Sequence, residues 1–288
     1  MKNCMYKQFA FFAVLLFILS FTCQGLAQNN PAEWMDHFKK GNEFAVQKKW
    51  QEAAEEFKKA LEYNPDNIMI HFNLANAYQA NGVMTKTISE YEQILAINPK
   101  LYWAQYNLGV MYFQHENFEK SIFHLKKAIE LNPKISAIYF QLGNVYDKIH
   151  NPDSAIKYYM KTIELDPKNY KAHYNIGMQY LRNKDLDKAL EKFNLAKTIS
   201  PEYAEAYVNI GVIFMRKNEP EKAIPYLLEG IKHNPKLANA VVNLSVAYRD
   251  TNDLDSALKY AWEAKILEAK SAQTLIDSIN RKKQEVNK

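Results

Sequence analysis

The sequence predicts an all-α protein built as a solenoid of helix pairs, and three observations predict it. Six prolines, Pro65, Pro99, Pro133, Pro167, Pro201 and Pro235, follow one another at intervals of 34 residues. Under that period the small and the aromatic residues fall into columns. The 288 residues include 19 Tyr and 15 Phe but only 8 Gly, a balance that suits ring-packed helices better than a loop-rich β fold. A fixed period of this length marks stacked supersecondary units.

The amino terminus stands apart from the array. Lys2 and Lys7 precede an apolar run from Phe9 to Phe21, and Gly25-Leu26-Ala27 places small residues at the third and first positions before Gln28. This is the layout of a secretory signal peptide over residues 1–27, cut after Ala27. The run is shorter than the roughly 20 residues a spanning helix needs, so an uncleaved anchor is the lesser reading. Acylation at Cys23 is another alternative; Thr22 and Ser20 fit a lipobox poorly. Cys4 and Cys23 are the two cysteines, so the processed chain would carry no disulfide and no thiolate metal site. Losing Lys2 and Lys7 lowers the formal charge from +5 to +3, too mild to argue for nucleic acid or an anionic membrane.

After a short linker at 28–33, seven units run 34–67, 68–101, 102–135, 136–169, 170–203, 204–237 and 238–271 without insertion. Position 8 of the unit is small throughout (Gly41, Ala75, Gly109, Gly143, Gly177, Gly211, Ser245), as a close helix crossing requires. Position 20 is small as well, and position 11 is always Phe or Tyr. Apolar residues recur at helical spacing, as in Leu108, Met111 and Tyr112, and predict a helix A; a turn and a helix B ending at the proline follow. Proline disfavours helix in the residue before it, which stops helix B near Asn98 or Asn132. Asn81-Gly82, Asn151-Pro152 and Asn218-Glu219-Pro220 mark A-to-B turns, with Asn151 an N-cap and Pro152 the first helical residue. Pro225 lies a turn inside the sixth helix B and predicts a local bend. Residues 272–288 predict a capping helix, with Leu275, Ile276 and Ile279 facing the last repeat, and a frayed tail. Lys40, where later units have Leu or Ile, suits the outer face of the first unit.

These columns resemble the tetratricopeptide repeat, over residues 34–271. The resemblance implies a right-handed α-solenoid that binds another protein or an extended peptide in a concave groove, lined by positions 2, 5, 6, 9, 12 and 13 of each helix A. In the segment Tyr102–Phe113 it leaves Leu108, Gly109, Met111 and Tyr112 to the core and puts Trp103, Tyr106, Asn107 and Phe113 in the groove. Position 2 departs from a generic repeat, which is polar there: Met35, Met69 and Trp103 join Phe38, Phe72 and Tyr106 in an apolar first half. Clusters of this composition are typical of interface hot spots. Position 5 continues with Phe140 and Tyr174. Position 6 reads Lys39, Asn73, Asn107, Gln141, Asn175, Asn209 and Asn243, and from the second unit on it is an amide column similar to the asparagine ladder of O-linked GlcNAc transferases, which would grip main chain. Asn and an aromatic are also frequent in generic repeats at positions 6 and 5. Position 13 holds Lys148, Arg182 and Arg216, a basic stripe suited to carboxylates or to solvent. The carboxylate clamp of chaperone adaptors is not matched: Phe38, Trp103 and Asn107 occupy its basic positions.

No residue set argues for catalysis. The seven histidines show no metal-type pairing, and His37, His71 and His173, all at position 4, lie a repeat or more apart. No cofactor is expected. The expectation is an exported, non-enzymatic scaffold that holds a partner polypeptide, in the periplasm or envelope of a bacterium and in complex assembly. A holdase-type chaperone and a Cys23-anchored assembly lipoprotein are the alternatives.

Overall fold

The structure, a computed structural model, describes residues 31–286. The expected leader, with Cys4, Cys23 and Ala27, lies outside the described residues. Those residues form helices joined by short turns. The odd-numbered helices are α1 (Pro31–Val46), α3 (Ile68–Ala80), α5 (Tyr102–Gln114), α7 (Ser136–Lys148), α9 (Tyr170–Arg182), α11 (Ala204–Arg216) and α13 (Ala238–Asp250). Each is followed by its partner: α2 (Trp50–Tyr63), α4 (Met84–Ile97), α6 (Phe118–Leu131), α8 (Pro152–Leu165), α10 (Leu186–Ile199), α12 (Pro220–His233) and α14 (Leu254–Ile266). A last helix, α15 (Ala272–Val286), closes the array. The first helix begins at Pro31, so the expected linker is partly helix. The last one runs to Val286, where fraying was expected.

Each helix packs mainly on its sequence neighbours, as a one-dimensional solenoid requires. The next-nearest pairs in close contact are all odd-numbered: α1 with α3, α5 with α7, α11 with α13 and α13 with α15. The odd helices therefore crowd on one side and the even ones splay on the other. That inequality curves the stack and makes the odd-helix face the inner one.

The small column explains the A–B crossing. A β-carbon added at Gly177 would stand 2.8 Å from the Phe193 ring, and one at Gly143 2.6 Å from Tyr159, both rings fully buried. The second and seventh repeats carry Ala75 and Ser245 at this position, and Ser245 Oγ donates to the Ala257 carbonyl at 2.7 Å across the crossing. Every A-to-B turn then uses one residue in the left-handed region: Lys48, Gly82, Glu116, His150, Lys184, Asn218 and Asn252, with φ between 58° and 75°. Only Gly82 takes this conformation without steric cost. Asn151 accepts from the Ser154 amide at 3.1 Å and caps α8 as expected. Helix α12 runs on through Pro225 as a continuous helix.

The even helices stop at the expected prolines with an extended capping residue, for instance Asn98 and Asn132. In the seventh repeat Ala269 replaces proline, and Glu268 instead adopts φ 56° while the Ala269 amide bonds to the Ala264 carbonyl at 3.0 Å. Leu275, Ile276 and Ile279 of α15 are buried against Leu254, Ala257 and Ala261.

Candidate binding groove

The groove residues sit on the odd helices. Their side chains divide into a packed floor and an exposed rim. Met35 and Met69 are the rim, 40% and 56% exposed. Trp103 is half-buried: its ring meets Phe72 edge-on at 5.3 Å, and Phe72 meets Tyr91 at 6.5 Å. Tyr106 packs into the core around Leu125 and Ile138, and burial pushes its phenol pKa up. Phe113 leans on Phe118 at 6.1 Å, Phe140 on Tyr159 at 5.7 Å and Tyr174 on Phe193 at 5.3 Å. Trp103 and Tyr106, expected as anchors together with Met69, thus form the walls, and the methionines are the exposed part of the surface. Thioethers on flexible stems adapt to varied apolar ligands.

The amide column is tied across repeats. Asn73 Nδ2 donates to Asn42 Oδ1 at 3.0 Å, and Asn175 Nδ2 donates to Asn144 Oδ1 at 3.3 Å. Asn144 also accepts from the buried Tyr159 hydroxyl at 2.9 Å. An amide nitrogen carries two hydrogens, so such a bond orients Asn73 and Asn175 while leaving a carbonyl oxygen and one N–H for a ligand. Asn107 has no hydrogen bond within the described residues and keeps its full capacity. Two members depart from the expectation. Gln141 is buried, with its carbonyl accepting from Asn144 at 3.4 Å. Asn209 directs its nitrogen to the Tyr174 hydroxyl at 2.8 Å and the Met178 sulfur at 3.6 Å. The ladder is therefore interrupted in the fourth and sixth repeats.

The basic stripe is likewise unequal. Arg182 is paired with Asp147, whose carboxylate also accepts from Gln179 Nε2 at 2.8 Å. Arg216 donates to the Leu181 carbonyl at 3.4 Å. Lys148 is exposed and has no ion pair among the described residues. The column reading missed these bonds because they join different positions of adjacent repeats.

On the outer side, position 4 faces position 23 within a repeat. His71 Nδ1 meets Glu90 at 2.7 Å and Nε2 meets the Pro65 carbonyl at 2.7 Å. Burial opposes the imidazolium, but these two acceptors prevail and raise the His71 pKa. His173 occupies the same place opposite Lys192; its Nδ1 is buried without a partner, and burial lowers its pKa. Among the described residues no three His, Cys, Asp or Glu side chains gather closely enough to hold a metal, and no helix is long and apolar enough to cross a membrane.

Comparison with known proteins agrees with this geometry. Family models described as TPR repeat or tetratricopeptide repeat match residues 41–82, 102–135, 136–169, 158–191 and 204–237, together more than half of the chain. No curated protein sequence matches. Among solved structures, the protein MamA is 26% identical with a TM-score of 0.56, covering 60% of this chain and 94% of its own. YrrB, described as a TPR protein with an unusual peptide-binding site, is 26% identical with a TM-score of 0.53, covering 65% of this chain and 97% of its own. A tetratricopeptide repeat protein from Parabacteroides merdae, 16% identical, shares the fold over 86% of this chain and 98% of its own, with a TM-score of 0.65. Period, helix pairing and family models agree, and the chain belongs to the tetratricopeptide repeat family.

Proposed function

We propose that this protein is an exported, non-enzymatic scaffold that holds an extended segment of a partner polypeptide on its odd-helix face, in assembly of an envelope complex of a bacterium. The observation that carries the reading is the exposed pair Met35 and Met69 beside the half-buried Trp103. Apolar surface that folding leaves uncovered, on the concave side of a solenoid, is surface available to a partner. Amides oriented along the same face supply main-chain contacts. The peptide-binding site named for YrrB supports the same use of the fold. Export rests on the leader read in residues 1–27, and lipid attachment at Cys23 is tested beside it.

The test is affinity capture from native envelope extract with wild type and a Met35→Glu/Met69→Glu variant whose circular dichroism matches wild type. Both residues are exposed, so the fold survives their change. A partner retained by wild type and lost by the variant supports the reading. Equal capture by both moves the interface to another face. Fractionation of wild type and Cys23→Ala, with metabolic lipid labelling, separates a soluble exported form from a lipid-anchored one.

A further inference from the structure

Resting on that groove reading, we infer that the partner segment is two-part: an apolar stretch seated on repeats one to three, followed by a stretch with acidic side chains on repeats four to six. The groove itself changes character at its midpoint. In repeats one to three Lys39 is the single charged residue at a groove position, among Met35, Met69, Phe72 and Trp103. In repeats four to six the groove positions carry Lys148, Lys171, Arg182 and Arg216 against Asp147 and Glu205. The four cations are exposed. Asp147 and Arg182 form an ion pair that largely cancels, which leaves Lys148, Lys171 and Arg216 against Glu205 to face an incoming carboxylate. Lys148 has no ion pair among the described residues and stands at the boundary.

The amide ladder is first interrupted at the same place, in the fourth repeat, and again at Asn209 in the sixth. Asn73 and Asn107 present hydrogen-bonding capacity in the apolar half and Asn175 does so in the basic half, whereas the intervening Gln141 is buried. The main chain is gripped on either side of the fourth repeat and passes over it. Helices pack roughly 8–10 Å apart and an extended chain rises about 3.3 Å per residue, so each repeat spans about three ligand residues. Six repeats accommodate a segment of about 18 residues by the same spacing. Charge matched to the second half sets the register of the segment, and the methionine rim tolerates different apolar side chains in the first.

The experiment uses the full-length chain, expressed in a bacterial host with an envelope and purified in the form that the host leaves. Four synthetic peptides of about 18 residues, acetylated and amidated so that no terminal charge contributes, serve as probes. Two carry a Leu/Phe-rich half joined to a Glu-rich half, in either order; two carry Lys in place of Glu. Binding is followed by fluorescence anisotropy at low and moderate salt. One order of the Glu peptide is expected to bind at least about tenfold more tightly than both Lys peptides, with the advantage shrinking as salt screens it. Lys148→Glu/Lys171→Glu, at two exposed positions, is expected to reverse the preference. If Glu and Lys peptides bind alike and Met69→Glu weakens both, the inference fails and the groove reading stands. If no peptide binds, or Met69→Glu changes nothing, both fail.

Discussion

At the scale of single residues, the A-to-B turn carries the least sequence signal and the clearest energetic consequence. Seven turns take the left-handed conformation at one position, yet Lys48, Glu116, His150 and Lys184 are ordinary L-residues there. Their β-carbons crowd the following carbonyl at a cost of about 1 kcal/mol each. Lys184→Gly should therefore raise the unfolding free energy by about 1 kcal/mol, read from the denaturant midpoint at unchanged slope. Asn218→Gly should gain less, because Asn tolerates this region. The histidines give a second residue-scale expectation. His71 should titrate above the ordinary imidazole value, and His173 and His124 below it, in a two-dimensional NMR titration. The signs oppose. The raised pKa of His71 adds stability below its unfolded value, and this is lost as pH rises through the folded one. The lowered values of His173 and His124 add stability above the unfolded value, and this is lost as pH falls. Lys192→Glu would place beside His173 the carboxylate that Glu90 offers His71. It should move the His173 midpoint upward and add about 1 kcal/mol at mildly acidic pH, fading as pH rises. An unmoved midpoint would show that the two side chains do not meet.

At the scale of elements, the helix crossings and the cap are where packing decides. The Gly177 β-carbon site lies 2.8 Å from a Phe193 ring that is fully enclosed and cannot swing away. Gly177→Val should cost about 2–3 kcal/mol by overpacking, measured by thermal or chemical melting. The cap behaves differently. Ile279 is fully buried on α14. Ile279→Ala should release α15 to hydrogen exchange while the inner repeats keep their protection, because each element leans only on its neighbours. The helices themselves were legible in the sequence: a 34-residue period, a proline stop and an apolar stripe fixed seven pairs and the cap. The groove was less so. Aligned columns compare equivalent positions, but Asn73–Asn42, Asn175–Asn144 and Arg182–Asp147 join unlike positions in adjacent repeats. The burial of Gln141 and the packing of Tyr106 under its neighbours are set by those cross-repeat relations, so column membership alone called them exposed. The left-handed turns were hidden for a simpler reason, since only Gly82 and, more weakly, Asn218 and Asn252 have identities that announce the conformation.

For the whole molecule, stability is a sum of repeats and of the surfaces between them. Long-range contacts that would lock distant repeats together are absent from the close helix pairs of the described residues. Unfolding should accordingly proceed from the ends. Hydrogen exchange followed by mass spectrometry should find α7 to α10 most protected and α1, α2 and α15 least. Uniform protection along the array would show a more cooperative molecule than its contacts imply. The same linear construction lets one face change from apolar to basic along its length, because no repeat has to be compatible with any but its two neighbours.

The exit of the seventh repeat determines how such an array can evolve. There Glu268 turns the chain by a left-handed residue instead of a proline stop, and α15 buries Ala272, Leu275, Ile276 and Ile279 while turning Asp277, Asn280, Arg281 and Gln284 outward. A unit appended after α15 would meet a polar wall, and bulky Ile279 stands where a crossing helix needs glycine, alanine or serine. A unit duplicated upstream of Glu268 would find matching neighbours on both sides. Gene duplication can therefore lengthen the array from within and not past α15, and any new stretch of binding surface would arise between the existing halves of the groove or inside one of them.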